Sequence, residues 1–212
     1  VIDRIKDNSN DEAFYISWKN REEVAYIKSI KGKNFIINNN TITNKKEYKS
    51  LERFERVSGF SYNSNESLIA VSGSINNQKD IYLLSANSSN MKKITDDEFD
   101  DIYPKFFKNS TSIAFSSNRN NSNLNEKDNF SEFNESYNIF LYNLDTTTNE
   151  LVQLTNELNN NIKIKTLSNN EVLFLSDKKG IFNLYKQKIS SNSIQTTDFN
   201  TDIITFDYDE ND

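Results

Sequence analysis

Histidine and cysteine are absent from this chain, and glycine (4 residues) and proline (1 residue) are scarce. Without cysteine there is no disulfide framework and no thiolate metal site. Without histidine the commonest general base and the commonest metal ligand are lost together. A Ser-His-Asp or Cys-His arrangement cannot be assembled from these residues, so no catalytic centre and no cofactor are expected. No stretch approaches the ~18–20 apolar residues of a membrane helix. A basic surplus is missing too: 31 acidic residues face 25 basic ones, for a net charge of −6. Such a surface repels phosphate backbones, which argues against nucleic acid as a partner. No leader pattern opens the sequence; it starts on Val1 rather than Met, so this says little about compartment.

Asparagine is abundant, and the hydrophobic share of 35% is low enough to raise the prospect of disorder. The aromatic share of 12% points the other way, and so does a repeat. Four short apolar cores recur: Val24-Ala25-Tyr26-Ile27, Ile69-Ala70-Val71-Ser72, Ile113-Ala114-Phe115-Ser116 and Val172-Leu173-Phe174-Leu175. Their second residues are 45, 44 and 59 positions apart. The first two spacings match the ~40–45 residues of a propeller blade. The third carries an excess, and a polar Asn/Ser/Glu-rich insertion over 120–136 accounts for it as a long surface loop.

Other features keep phase. Asn20, Asn65 and Asn109 stand five residues before the aligned alanines, where a turn tolerant of positive φ is needed. Asp80-Ile81-Tyr82, Asn138-Ile139-Phe140 and Asn183-Leu184-Tyr185 follow each core, and Ile94-Thr95, Leu154-Thr155 and Thr196-Thr197 follow those. Each unit thus holds four short β-branched and aromatic segments between polar turns, the pattern of a four-stranded antiparallel blade. Isolated blades are apolar on both faces and bury them only by stacking around an axis. Tyr26, Phe106, Phe115 and Phe174 are suited to fill the wedge between blades.

The expected fold is therefore all-β: a β-propeller arc of four complete blades with flanking half-blades, part of a larger six- to eight-bladed ring. The predicted division places the last strand of a preceding blade at 1–10. Blades follow at 11–56, 57–95, 96–155 (with the insertion 120–136) and 156–197. The first strand of a next blade is expected within 198–212, over Ile203 to Tyr208.

At these residues the sequence resembles the TolB-like propeller repeat, part of the wider WD-repeat-like group in bacterial envelope proteins. The third unit carries Asp101, Pro104, Phe106, Ile113-Ala114-Phe115-Ser116-Ser117-Asn118-Arg119, Ile139-Phe140 and Leu154-Thr155. The second carries Phe60, Ile69-Ala70-Val71-Ser72-Gly73, Asp80-Ile81-Tyr82 and Ile94-Thr95. The fourth, with Phe174-Leu175-Ser176-Asp177 and Gly180-Ile181-Phe182-Asn183, looks like the propellers of large Bacteroidetes envelope proteins. The family's Pro-Asp-Gly turn is replaced throughout by Asn, Ser and Lys clusters. The resemblance implies a periplasmic or outer-membrane-associated scaffold with protein partners in the cell envelope. In that frame Ala25, Ala70, Ala114, Phe115, Arg119, Tyr82, Phe140 and Tyr185 are repeat-forming structural residues.

Few residues point to a specific site. The acidic run Asp96-Asp97-Glu98 with Asp100-Asp101 reads either as a binding rim, with Asp97 and Asp100 toward a partner, or as a solvated loop whose Asp101 caps a turn or pairs with Arg119. Phe130 and Phe133 are aromatics in an otherwise polar insertion, able to anchor a partner or to fold back on the blade. Asp207, Asp209 and Asn211 have the alternation of a calcium loop but lack its Gly and closing Glu, so no metal site is assigned. Trp18 is expected to pack in the core. The function these features favour is a non-enzymatic interaction scaffold. The alternative is a substrate-gating propeller of a prolyl-oligopeptidase-like serine peptidase whose catalytic domain lies elsewhere, since no G-x-S-x-G elbow occurs here. A weaker third reading is a sugar- or ligand-binding propeller using its central channel.

Overall fold

The computed structural model describes residues 13–124, 136–146, 151–167 and 170–208. Blade I comprises β1 (Ala13–Trp18), β2 (Glu23–Ile30), β3 (Lys33–Asn40) and β4 (Lys46–Ser50). Blade II comprises β5 (Arg56–Tyr62), β6 (Leu68–Ile75), β7 (Gln78–Ser85) and β8 (Met91–Lys93). Blade III comprises β9 (Asp101–Phe106), β10 (Ser112–Ser117), β11 (Asn138–Asn143) and β12 (Val152–Gln153). Blade IV comprises β13 (Asn161–Thr166), β14 (Glu171–Ser176), β15 (Asn183–Lys188) and β16 (Ile194–Gln195). Each set of four pairs only within itself, antiparallel and in chain order, as separate sheets. These are the propeller blades that the repeat predicts.

Turn chemistry sets the hairpins. β2 and β3 are joined by Lys31-Gly32, and β6 and β7 by Asn76-Asn77; all four residues have φ between 51° and 77°. Two left-handed residues in a two-residue turn match the twist of the strands they join. Between first and second strands Asn109 takes φ 55°, whereas Asn20 and Asn65 act through their side chains, accepting N–H bonds from Glu22, Glu23 and Ser67. The excess length of the third unit falls where expected, between β10 and β11, with 125–135 outside the described residues.

The core lies in the seams. Ala25, Ile27 and Ile36 of blade I pack on Phe60, Ile69, Val71 and Tyr82 of blade II. Ile81 and Ile94 meet Phe115, Phe140 and Tyr142 of blade III, and Ala114, Ile139 and Leu141 meet Ile164, Val172, Phe174 and Tyr185 of blade IV. Ala25, Ala70 and Ala114 are fully buried, because a larger group there would hold the next blade away. Tyr26, Phe106, Phe115 and Phe174 are all buried. Polar stitches cross the same seams. Ser72 Oγ donates to Asp101 O at 2.6 Å, and Ser116 Oγ, at the same repeat position, donates to Asn161 O at 2.8 Å.

Inside blades II to IV the phased polar residues form one clasp. A residue at or near the start of the third strand accepts a hydrogen bond from a Thr just beyond the fourth: Thr95 Oγ1 to Asp80 at 3.4 Å, Thr155 Oγ1 to Asn138 at 2.9 Å and Thr197 Oγ1 to Asn183 at 3.0 Å. The same hydroxyls accept from the N–H groups of Ile81, Ile139 and Leu184. The sequence motifs thus mark a closure of each sheet by its own last strand.

Each first strand also carries a bulge, which the sequence marks only in β5, by Gly59. Register breaks in β1, β5, β9 and β13, and the equivalent residues Tyr15, Gly59, Tyr103 and Lys163 have φ of 53°, 136°, 57° and 54°. A bulge bends and twists the strand, here where the sheets converge. At Gly59 a Cβ would lie 3.1 Å from Tyr103 Cα, so the approach of two blades needs glycine.

Three expectations are corrected or fall outside the described residues. Trp18 is 59% exposed rather than packed in the core, because no described segment covers the leading edge of β1. The segment 203–208 forms no ladder; it lies along β13, held by Ile203 N–H to Phe182 O and by Lys163 and Lys165 to Ile204 O and Asp207. Its backbone has no second strand among the described residues to pair with, and a lone strand does not hold ladder geometry. The strand expected at 1–10 lies outside the described residues.

Candidate functional site

In an antiparallel meander, the turn between second and third strands and the connection to the next blade emerge at the same end. At blade III that end is elaborated: 96–100 leads into β9, and the connection from Asn118 to Tyr137 replaces a two-residue turn. Beneath it lies the most highly charged part of the interior.

Arg119 is fully buried at the end of β10. Its Nη2 donates to both carboxylate oxygens of Asp101, at 3.0 and 2.9 Å, and lies 3.0 Å from Asp97 Oδ2. Nε donates to Ser117 Oγ at 3.0 Å. Nη1 has no hydrogen-bond acceptor among the described residues. The guanidinium carbon instead sits 5.3, 5.9 and 5.7 Å from the ring centres of Phe99, Phe115 and Phe140, so a cation–π contact stands in for the missing acceptor. Asp80 completes the group, with Lys93 Nζ 2.8 Å from its Oδ2.

Charge and burial oppose each other here. Burial pushes Asp101 up against the pull of Arg119. Burial also pushes Asp80 up to about 7, the hydrogen bond and charge of Lys93 only partly offsetting it. Burial lowers Lys93, but its bonds to Asp80 and Asp96 outweigh that and raise it. Blades III and IV place Asn138 and Asn183 where blade II has Asp80, so the acid is the exception in the clasp. An acid raised from its ordinary value favours the folded state at low pH and loses that advantage as pH rises through about 7. Asp80→Asn is therefore expected to be more stable than the parent at pH 8, with the gain shrinking toward pH 4; urea melts across that range check it.

The carboxylate oxygens of Asp80, Asp97 and Asp101 lie within 4.8 Å of one another, a spacing an oxygen-liking cation could use. Arg119 already pairs with Asp97 and Asp101, and Lys93 with Asp80, so the geometry is that of an internal ion-pair network.

The sequence-derived candidates separate accordingly. Asp97 is turned inward, its side chain 5% exposed, which corrects its place on an exposed rim: attraction to Arg119 outweighs its solvation. Asp96 and Glu98 are the exposed acids of the run. Asp100 is at the surface, pairing with Lys79, while Tyr137 Oη donates to it at 3.4 Å and its own N–H reaches Asn118 Oδ1 at 2.7 Å. Burial and the Asp100 carboxylate push the Tyr137 hydroxyl up to about 12. Phe115 and Phe140 stack at 6.3 Å beside Arg119, and Tyr185 stacks on Phe174 at 6.1 Å. Tyr82 packs on Phe54 at 4.9 Å. Phe130 and Phe133 lie outside the described residues. Of the calcium-like alternation, Asp207 pairs with Lys165, and Asp209 and Asn211 lie outside the described residues. Asp80, Lys79 and Tyr137 were missed, although the Asp-for-Asn change in the repeat was a visible signal for Asp80.

Away from this end, a cleft of about 350 Å³ lies between β4 and the turn before β8. Lys49 closes it by donating to Ser85 O at 2.8 Å and Ser88 O at 2.5 Å, locking blade I to blade II.

No family model and no curated protein matches the sequence. Solved structures do match in fold. TolB from Acinetobacter baumannii superposes with TM-score 0.70 at 15% identity, over 88% of this chain and 44% of that one. A putative TolB from Agrobacterium tumefaciens gives 0.68 at 12% identity, over 90% and 64%. A puromycin hydrolase gives 0.61 at 10% identity, over 90% of this chain and 31% of the enzyme. The chain thus spans less than two thirds of each of these proteins, and it shares their propeller fold.

Proposed function

We propose that this chain is a non-enzymatic protein–protein interaction module, a TolB-like propeller scaffold of a periplasmic or outer-membrane-associated envelope protein. The elaborated end of blade III carries this reading. There the acidic connection 96–100 and the long connection 118–137 emerge together over an ion-paired floor, where blades I and II turn in two residues. Connections set on a packed scaffold are where binding is usually placed. Asp100 borders this surface, and the aromatic anchors expected of the insertion are Phe130 and Phe133, which lie outside the described residues. The likeness to TolB structures supports the choice, with TM-scores of 0.70 and 0.68.

A second reading has its own observation. The puromycin hydrolase match covers 31% of that enzyme, so an arc like this one can be a minor part of a longer peptidase. As a gating propeller, the chain would act beside a hydrolase domain outside these residues.

Replacing 120–136 by a two-residue turn and cross-linking both forms of the natural protein in its envelope fraction tests the choice. The expected result is a discrete cross-linked partner whose recovery falls at least tenfold on deletion. Unchanged recovery removes the loop as the contact. Aminoacyl-amide hydrolysis by the natural protein would favour the second reading.

A further inference from the structure

The first strands of neighbouring blades approach one another, so the fourth strands lie outermost. The cleft of about 350 Å³ between β4 and the turn before β8 therefore opens on the outer rim, at the seam of blades I and II. Its volume is within the range of small-ligand sites. The floor is apolar: Leu51, Phe54 and Leu84 are buried, and Met91 is half-buried. Two cations, Lys49 and Arg53, stand over that floor.

Lys49 is out of place in the repeat. It pairs with Ile36. The residues bonded to the equivalent Ile81 and Ile139 of blades II and III are Ile94 and Leu154. Both of those are apolar and packed into their seams. Blade I thus sets a cation where its neighbours set hydrocarbon. Its Nζ donates to main-chain oxygens, those of Ser85 at 2.8 Å and Ser88 at 2.5 Å, and pairs with no carboxylate among the described residues. Burial lowers its pKa, and no acid offsets that. Arg53 is exposed and makes no hydrogen bond or ion pair among the described residues. Glu52, the acid in the lining, is taken by Lys33 at 2.9 Å. In a chain of net charge −6, the cleft therefore joins an apolar floor to positive charge that lacks a partner. Such a site complements a ligand with a hydrocarbon body and an anionic end, and a guanidinium fork matches the two oxygens of a carboxylate.

We propose that the cleft between blades I and II binds a small amphipathic carboxylate, such as a medium-chain fatty acid. The hydrocarbon body covers Leu51, Phe54, Leu84 and Met91, and the head pairs with Arg53 beside the charge of Lys49. The site is separate from the elaborated end of blade III and does not depend on the protein-interaction reading. Its walls belong to two blades, so a bound ligand ties them together and favours the folded chain.

Calorimetry on the whole chain tests it with octanoate, octanamide, acetate and acetyl-Phe-Leu bearing a free carboxylate. Octanoate is expected to bind about tenfold tighter than octanamide, which keeps the body, and than acetate, which keeps the head. Arg53→Gln changes an exposed side chain and should weaken octanoate about tenfold. Met91→Gln should weaken it about threefold by making the floor polar. Glu52→Gln should strengthen it by removing the nearby negative charge. Saturating octanoate should raise the thermal midpoint of the parent and leave that of Arg53→Gln unmoved. Equal binding of octanoate and octanamide, or undiminished binding in Arg53→Gln, overturns the site. Tighter binding of acetyl-Phe-Leu than of octanoate overturns the small-ligand assignment and makes the cleft a seat for a chain terminus. Absence of binding by all four probes overturns the proposal and leaves the interaction reading standing.

Discussion

Arg119→Met is expected to destabilise the chain by about 3–5 kcal/mol near neutral pH, the usual cost of breaking a buried ion pair from one side. The substitution leaves Asp97 and Asp101 without the guanidinium that touches both. It keeps most of the apolar volume among Phe99, Phe115 and Phe140. The loss should depend on pH in a defined sense. Unpaired buried carboxyls rise in pKa, so protonation relieves the penalty. The deficit against the parent is then largest at pH 8 and shrinks toward pH 4. Arg119→Lys should recover only part, since an ammonium cannot engage both oxygens of Asp101 and still reach Asp97 and Ser117. Urea denaturation of the three forms at pH 8, 6 and 4 checks this. A pH-independent deficit would mean that lost packing, not stranded charge, dominates.

Gly73→Ala is expected to destabilise by about 1–3 kcal/mol, the usual cost of overpacking a dense core. A Cβ on Gly73 would lie 2.3 Å from Cδ1 of Phe54, and under 3 Å from two further ring atoms. The ring cannot swing clear, because Phe54 is buried and packed at 4.9 Å on Tyr82. Ser117 and Ser176 hold the equivalent repeat position in blades III and IV, so the glycine answers to Phe54 and not to the strand. Phe54→Leu should therefore rescue Gly73→Ala, giving a double variant less destabilised than the sum of the two singles. Additive losses in thermal melts would show that the two sites do not touch.

The propeller was legible because its signal is redundant. Burying a β-sheet on both faces requires small residues at fixed points and aromatics at others, and Ala25, Ala70, Ala114, Phe115, Phe140 and Phe174 satisfy that in phase. The phased Asp/Asn and Thr residues were visible as a pattern, and the clasp explains it. The bulges were not legible, because Tyr15, Tyr103 and Lys163 are poor formers of left-handed backbone. Convergence of the sheets imposes that conformation, and only Gly59 advertises it. Trp18 misled because its residue type says core, while its exposure depends on what lies beside β1. In the site, the Asp101–Arg119 pair could be read from the motif. Asp97 could not: whether a loop acid faces water or a buried cation depends on a turn of the backbone that composition does not encode.

Among the described residues every ladder is completed within about one repeat of chain, and no sheet borrows a strand from another. An unequal crossover that removes or adds one such length would therefore delete or supply a whole sheet with its clasp, leaving the remaining seams to be re-made between faces of the same kind. Ring size in proteins of this construction can thus change in whole-number steps without an unpaired intermediate. Lineages built this way are free to vary circumference, and with it the width of the axial opening, while each unit keeps its own internal bonding.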